Sequence, residues 1–250
     1  MNVPAYLARI GYAGPVTPTL EVLRAVHRAH LLSVPFENLD IARGRALVVD
    51  QEACVRKLVE ERRGGFCYEM NGAFAALLQA IGFQVTLLSA RVARQDGSFG
   101  PEFDHLTLRV DLDQPWLADV GFGDSFIEPL RLLPGIAQQD AGQIYRITET
   151  DSVLQLQKWE AGGAWNDMYR FTLQPRQIQD FAAMCHYHQT SPESSFTRTR
   201  LCTRATPEGR ITLSGMKLTI TRKGEKEERM LSSENEWRAA LREYFNLVLD

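Results

Sequence analysis

Cys67 is the residue whose surroundings point most directly to chemistry. Gly64 and Gly65 precede it, so the backbone there can bend sharply and approach another group closely. Cys67, Met70, Phe74, Leu77, Leu78 and Ile81 then recur every three or four residues, one face of a helix that starts at the cysteine and stops at Gly82. A sulfur at the mouth of a helix meets the positive end of the dipole and several free N–H groups. That setting favours the thiolate, and the same N–H groups can hold the oxyanion formed when a thioester carbonyl is attacked. Position alone leaves Cys67 equally readable as a small core residue, because it also fits the apolar stripe. Cys54 lies mid-helix, and Cys185 and Cys202 in loops or short elements; these three read as inert.

A cysteine nucleophile needs a base, and a histidine base needs an orienting group. Of five histidines, His27 falls on an apolar helix stripe beside His30, and His186 and His188 fall in an expected loop. His105 lies on a strand from Asp104 to Leu112, opposite the face that carries Leu106, Leu108, Val110 and Leu112. After a turn at Pro115, a returning strand over 116–122 carries Asp119, an acid in an apolar run. A hairpin centred on Leu112 sets His105 and Asp119 directly opposite; one centred on Asp113 makes them diagonal. Either register leaves them on one face, roughly 5–8 Å apart. A buried carboxylate needs a partner, and a histidine N–H supplies one. A Cys67–His105–Asp119 set is then available, with the approach of Cys67 to His105 inferred rather than given by periodicity.

The elements that must position these residues change character along the chain. The first third reads as helical: Thr17 capping a helix with Pro18 at its first position, a stop at Val34-Pro35, and a second helix from Asp50 to Gly64-Gly65. From Phe83 the pattern is β, with strands over 84–88, 104–112, 116–122, 144–148, 153–159 and 169–173. The last third holds a brief helix over 180–184, a hairpin through 210–230 with a mixed-charge solvated edge at 225–229, and an amphipathic helix over 233–249.

The 250 residues are long enough to bury a sizeable core, and 44% hydrophobic with 24% charged is ordinary globular composition. A net charge of −3 and no basic run longer than Arg62-Arg63 argue against nucleic acid and anionic membrane as partners. No apolar stretch approaches the ~20 residues that span a bilayer. The start of the chain lacks the basic-then-apolar pattern of a secretory signal, so a cytoplasmic setting with reduced thiols is expected. No C-x-x-C spacing indicates a metal or redox pair.

The same residues resemble the arylamine N-acetyltransferase family. Arg63-Gly64-Gly65-Phe66-Cys67-Tyr68-Glu69-Met70-Asn71 is similar to its nucleophile motif, Asp104-His105-Leu106 to its histidine strand, and Asp119-Val120-Gly121-Phe122-Gly123 to its aspartate strand. Further similarity runs through Val34-Pro35-Phe36-Glu37-Asn38-Leu39, Glu128-Pro129-Leu130-Arg131-Leu132, Tyr169-Arg170-Phe171, residues 191–196 and residues 209–213, so it covers essentially the whole chain. The resemblance implies an α+β fold with a cysteine-protease-like catalytic core: a helical bundle (1–82) with Cys67, a β-barrel (83–180) with His105 and Asp119, and an α/β lid (181–250). It implies an acyltransferase of xenobiotic metabolism that moves acetyl from acetyl-CoA, as co-substrate and with no tightly bound cofactor, to an arylamine or arylhydrazine by a ping-pong route through acetyl-Cys67. An amide synthase of natural-product biosynthesis with the same Cys–His–Asp chemistry is the alternative. Phe36, Phe66, Tyr68, Phe122 and Phe196 are expected to stack on the acceptor ring, and Ser98, Phe99 and Gly100 to contact CoA. No metal is expected, and the assembly is expected to be a monomer or weak homo-oligomer. The segment 184–188 departs from the asparagine–tryptophan–tyrosine-like pattern expected there, and the chain is somewhat short for the family.

Overall fold

In the computed structural model, which describes residues 1–249, helices form where a cap and apolar spacing coincide. The Asn2 side chain caps α1 (Val3–Arg9), a helix the spacing did not reveal because it buries little beyond Tyr6 and Leu7. Thr19, not Thr17, caps α2 (Leu20–Ser33), since its hydroxyl reaches the Val22 N–H and leaves Pro18 ahead of the helix. Val34 is extended before Pro35, as expected. A two-residue strand β1 (Phe36–Glu37) and a short helix α3 (Leu39–Ala42) follow. Asp50 caps α4 (Gln51–Val59), which stops well short of Gly64; the chain turns through Arg62, whose φ is 52°. α5 (Cys67–Ala80) has 11 of its 14 residues buried, so it is core on nearly every side.

Eight strands come next: β2 (Gln84–Val92), β3 (His105–Asp111), β4 (Pro115–Ala118), β5 (Leu130–Arg131), β6 (Ala137–Asp140), β7 (Gln143–Thr150), β8 (Val153–Glu160) and β9 (Ala164–Phe171). They form one antiparallel sheet in the order β5-β4-β3-β2-β9-β8-β7-β6. Its outer strands meet through Gln138, which accepts from the Arg131 N–H and donates back to the Arg131 carbonyl, so the sheet curls into a nearly closed barrel. Alternation along β3 sorts side chains into two different cores. Leu106, Leu108 and Val110 pack with α5, whereas His105 and Thr107 face the other way and are buried too. The polar face of β3 is therefore barrel interior rather than surface.

A 3-10 turn (Ile178–Phe181) leads into α6 (Ala182–Thr190), then α7 (Ser195–Arg198). Cys185, His186 and His188 thus sit on a helix and not in a loop. The strands β10 (Leu201–Thr206), β11 (Gly209–Ser214), β12 (Lys217–Arg222) and β13 (Glu225–Met230) build a second sheet in the order β1-β10-β11-β12-β13. β1 comes from the N-terminal helical third, so that third is hydrogen-bonded into the C-terminal sheet. β13 is the exposed, charge-rich edge expected at 225–229. The closing helix α8 (Glu234–Phe245) is capped by Ser233, ends at Asn246 (φ 56°), and packs Trp237, Leu241 and Phe245 against β10–β12 in a third core with Leu39. The fold is α+β.

Candidate active site

The nucleophile motif is held from below by a buried ionic chain. Glu37 accepts two hydrogen bonds from Arg63 (3.0 and 2.7 Å) and one from the Leu39 N–H. Arg63 also reaches Asp40 at 2.9 Å; Lys57 then joins Asp40 (2.9 Å) to Glu69 (2.7 Å). The other oxygen of Glu69 accepts the Phe66 N–H at 3.1 Å, which fixes the first turn of α5. Buried charges of this kind persist only when paired throughout. The two glycines have a different role from a free hinge. Gly65 accepts the Glu37 N–H, and a Cβ on Gly64 would sit 2.0 Å from the Pro35 carbonyl oxygen. They let two backbones touch.

That scaffold delivers Cys67 to the first position of α5, where no side chain caps the open N–H groups. Cys67 is 3% exposed. Burial pushes its thiol well above the ordinary value; a hydrogen bond from the Leu106 N–H pulls the other way, and Asp104, Cys185 and Asp119 reinforce the rise. Burial thus works against the thiolate that the helix mouth favours. Because Leu106 follows His105 directly, the Leu106 contact brings the start of β3 beside the sulfur.

β3 and β4 pair with Leu108 opposite Ala118 and Asp111 opposite Pro115, a register centred on Asp113, so His105 and Asp119 are diagonal. β4 ends at Ala118 and not at Phe122. Released from the ladder, Asp119 turns its carboxylate into a nest of four donors. Oδ1 accepts from Asn71 Nδ2 (2.8 Å) and the Gly121 N–H (3.0 Å); Oδ2 accepts from His105 Nε2 (2.7 Å) and the Tyr169 hydroxyl (3.0 Å). Burial opposes its ionisation, yet His105, Asn71 and the Gly121 N–H outweigh that and hold the carboxyl below the usual range.

Three residues that hold Asp119 were not singled out by motif chemistry. Asn71 lies one turn after Cys67, donates also to the Leu106 carbonyl (2.6 Å) and accepts the Val120 N–H (2.9 Å), so it ties α5 to β3 and to the segment that follows β4. Its i, i+4 spacing from Cys67 was the available signal. Tyr169 comes from β9, across the barrel. His27 is wholly buried: Nδ1 donates to the Ile127 carbonyl (2.7 Å), Nε2 accepts the Asp119 N–H (3.0 Å), and burial drives its pKa down to about 4. It is a neutral bracket for the Asp119 backbone.

Four of the five expected aromatic residues lie together, and Phe122 stands beside His105. Phe66 is edge-on to Tyr68 (5.0 Å) and Phe196 (5.8 Å), Phe36 lies 6.2 Å from Phe196, and Phe122 is edge-on to His105 at 5.2 Å. Tyr68 and Phe66 are fully buried, and the Tyr68 hydroxyl is spent on the Phe103 carbonyl at 2.6 Å. Beside this cluster runs a cleft of about 1130 Å³ lined by Phe99, Gly100, Asp104 and His188 together with Arg91, Arg94 and Arg198. Ser98 turns back instead, donating its N–H and hydroxyl to Asp96. Among the described residues no cluster of side chains fits a metal ion, and no helix is long and apolar enough to cross a membrane.

A family described as N-acetyltransferase matches residues 19–250. The chain is 38% identical to the arylamine N-acetyltransferase of Mycolicibacterium smegmatis, covering 90% of this chain and 84% of that protein. It is 33% identical to the pineal gland isozyme NAT-3 arylamine N-acetyltransferase of Gallus gallus, over 100% and 95% of the two chains. Its fold superposes on the Mycobacterium marinum arylamine N-acetyltransferase in complex with CoA with a TM-score of 0.91, 34% identity, and coverage of 98% and 92%. With a family match over residues 19–250 and similarity of this extent along the chain, the protein belongs to the arylamine N-acetyltransferase family of enzymes.

Proposed function

We propose that the protein transfers an acetyl group from acetyl-CoA to the nitrogen of an arylamine or arylhydrazine, by a ping-pong route through acetyl-Cys67. The observation that carries this reading is the 2.7 Å contact of His105 Nε2 with Asp119, beside a sulfur that accepts the N–H of the next residue. Asp119 fixes His105 as the tautomer with a proton on Nε2, leaving Nδ1 to exchange a proton with Cys67. A lone thiolate is costly at so buried a site, so the proton passes to His105 and the pair stays neutral overall. The thiolate attacks the thioester carbonyl, a carbon–sulfur bond forms, and CoA leaves as a thiol with the proton from His105. The amine nitrogen then attacks the acetyl carbon, His105 accepts its proton, and the Cys67–carbon bond breaks. Open N–H groups at the start of α5 can stabilise the oxyanion in both halves.

In this reading the cleft takes CoA along Phe99 and Gly100, with arginines available to its phosphates, while Phe36, Phe122 and Phe196 contact the acceptor ring. The units 1–82, 83–180 and 181–250 then supply nucleophile, base pair and cleft wall respectively.

The test is intact mass. Incubation with acetyl-CoA alone is expected to add one acetyl group, which an arylamine removes, and Cys67→Ala is expected to take up none. An unmodified wild-type protein, or turnover in Cys67→Ala, overturns the reading. Acylation only by a different thioester points to the amide synthase instead.

A further inference from the structure

Asp104 is a second carboxylate close to the sulfur, and the chemistry above makes no use of it. It directly precedes His105 and stands two residues before the amide that holds Cys67. The backbone delivering it cannot relax. Phe103 is left-handed (φ 66°), its N–H donates to Ser89 Oγ at 2.7 Å, and the Tyr68 hydroxyl reaches the carbonyls of both Phe103 and Asp104. The carboxylate itself is held on one side by the Val92 N–H (3.3 Å), and Gly100 packs so close that a Cβ there would overlap it. Its side chain is only 16% exposed. A fixed, half-desolvated negative charge beside a thiolate works against ionisation, and Asp104 does oppose it at Cys67.

His188 reaches this carboxylate from α6. Its Nε2 lies 3.2 Å from Asp104 Oδ1, ion-pair distance although not a well-directed hydrogen bond. Its Nδ1 is 3.4 Å from Ser194 Oγ, and its ring stands edge-on to Phe196 at 5.2 Å with Tyr187 and Tyr68 alongside. The ring is thus clamped between the aromatic cluster and the cleft, aimed at Asp104. The other charged groups on that cleft are Arg91, Arg94, Asp96, Glu193 and Arg198. Around Cys67 they are Asp104, Asp119 and the His105 ring, with Cys185 nearby.

We propose that His188 is a positioning residue for the Cys67–His105 pair: it holds the Asp104 carboxylate at ion-pair distance and away from the sulfur, so that this charge does not suppress the thiolate. The inference rests on Cys67 being the nucleophile and names how the lid helix contributes to its ionisation. Removing the imidazole leaves uncompensated a carboxylate that opposes ionisation of Cys67. Removing the carboxylate as well makes the imidazole dispensable.

The experiment is the pH dependence of Cys67 alkylation by iodoacetamide, with Cys67→Ala defining background and circular dichroism reporting the fold. His188→Leu is expected to raise the half-point by on the order of 0.5–1 pH unit. His188→Leu/Asp104→Asn is expected to return it to the wild-type value, and Asp104→Asn alone not to raise it. A folded His188→Leu with an unshifted half-point, or a double variant shifted as far as His188→Leu, overturns the proposal, as does a raised half-point in Asp104→Asn should His188→Leu not fold. A wild-type half-point equal to that of free cysteine instead removes the nucleophile reading, and this inference with it.

Discussion

Replacing Asp119 with Asn tests the site at its most constrained atom. Asp119 is 1% exposed and its carboxylate accepts four hydrogen bonds, two on each oxygen. An amide supplies only one accepting oxygen, so its NH₂ must face a pair of donors. Turned toward Oδ1 it meets Asn71 Nδ2 and the Gly121 N–H, and two donors are left without acceptors. Turned toward Oδ2 it meets His105 Nε2 and the Tyr169 hydroxyl; the imidazole must then carry its proton on Nδ1, the nitrogen needed to accept from Cys67. Both orientations also remove the counter-charge of the imidazolium. At a charge separation of about 4 Å and an effective dielectric near 20, that interaction is worth about 4 kcal/mol, close to 10³-fold in rate. The tautomer penalty adds to it, so kcat/KM for acetyl transfer is expected to fall about 10³–10⁴-fold. The unsatisfied donor costs stability by about 1–3 kcal/mol, a decrease in Tm of several degrees for a chain of this size. Steady-state transfer from acetyl-CoA to an arylamine, with intact-mass acylation of Cys67 and a thermal melt, measures all three quantities. Activity within tenfold of wild type in a folded Asp119→Asn protein would refute the argument that this carboxylate fixes the tautomer and charge of His105.

Other expectations follow from neighbouring contacts. Lys57→Met leaves Asp40 and Glu69 without their shared ammonium in the core; a loss of about 3–5 kcal/mol is expected, seen as a Tm lower by roughly 10 °C. Gly121→Ala places a Cβ 2.7 Å from Asn71 Nδ2 and 2.8 Å from the Cys67 carbonyl oxygen; overpacking of about 1–3 kcal/mol and a marked fall in acylation rate are expected. His27 and His30 are buried neutral, the first at about 4 and the second also well below its ordinary value, in both cases because burial disfavours the charged ring. Only the unfolded chain protonates them as pH falls below about 6.5, so stability should decline with acidification, His27 alone contributing about 3 kcal/mol by pH 4. Chemical denaturation at pH 7 and pH 5 reads this directly, and equal stability at the two values would contradict it. His27→Gln should flatten the slope.

The sequence by itself determined the helix that begins at Cys67, because a glycine pair and an uninterrupted apolar stripe leave few alternatives. It also determined that His105 and Asp119 lie close together, because alternation and a short turn fix which face each occupies. Local propensity misplaced the start of α2, since Thr17 and Thr19 are both good caps and only packing of the first turn selects between them. It also left 185–188 as a loop, because α6 has a weak apolar face and is held by contacts to Asp104, Tyr68 and α7. The tertiary structure alone decided that the polar side of β3 faces the interior of a barrel, that Tyr169 and His27 converge on Asp119 from distant parts of the chain, and that Glu37, Asp40, Lys57, Arg63 and Glu69 form one buried chain. Such interactions join residues far apart in sequence and leave no periodic trace. The electrostatic state of the sulfur belongs to the same category: a helix mouth favours the anion, burial opposes it, and which of the two dominates depends on how deeply the rest of the protein encloses Cys67.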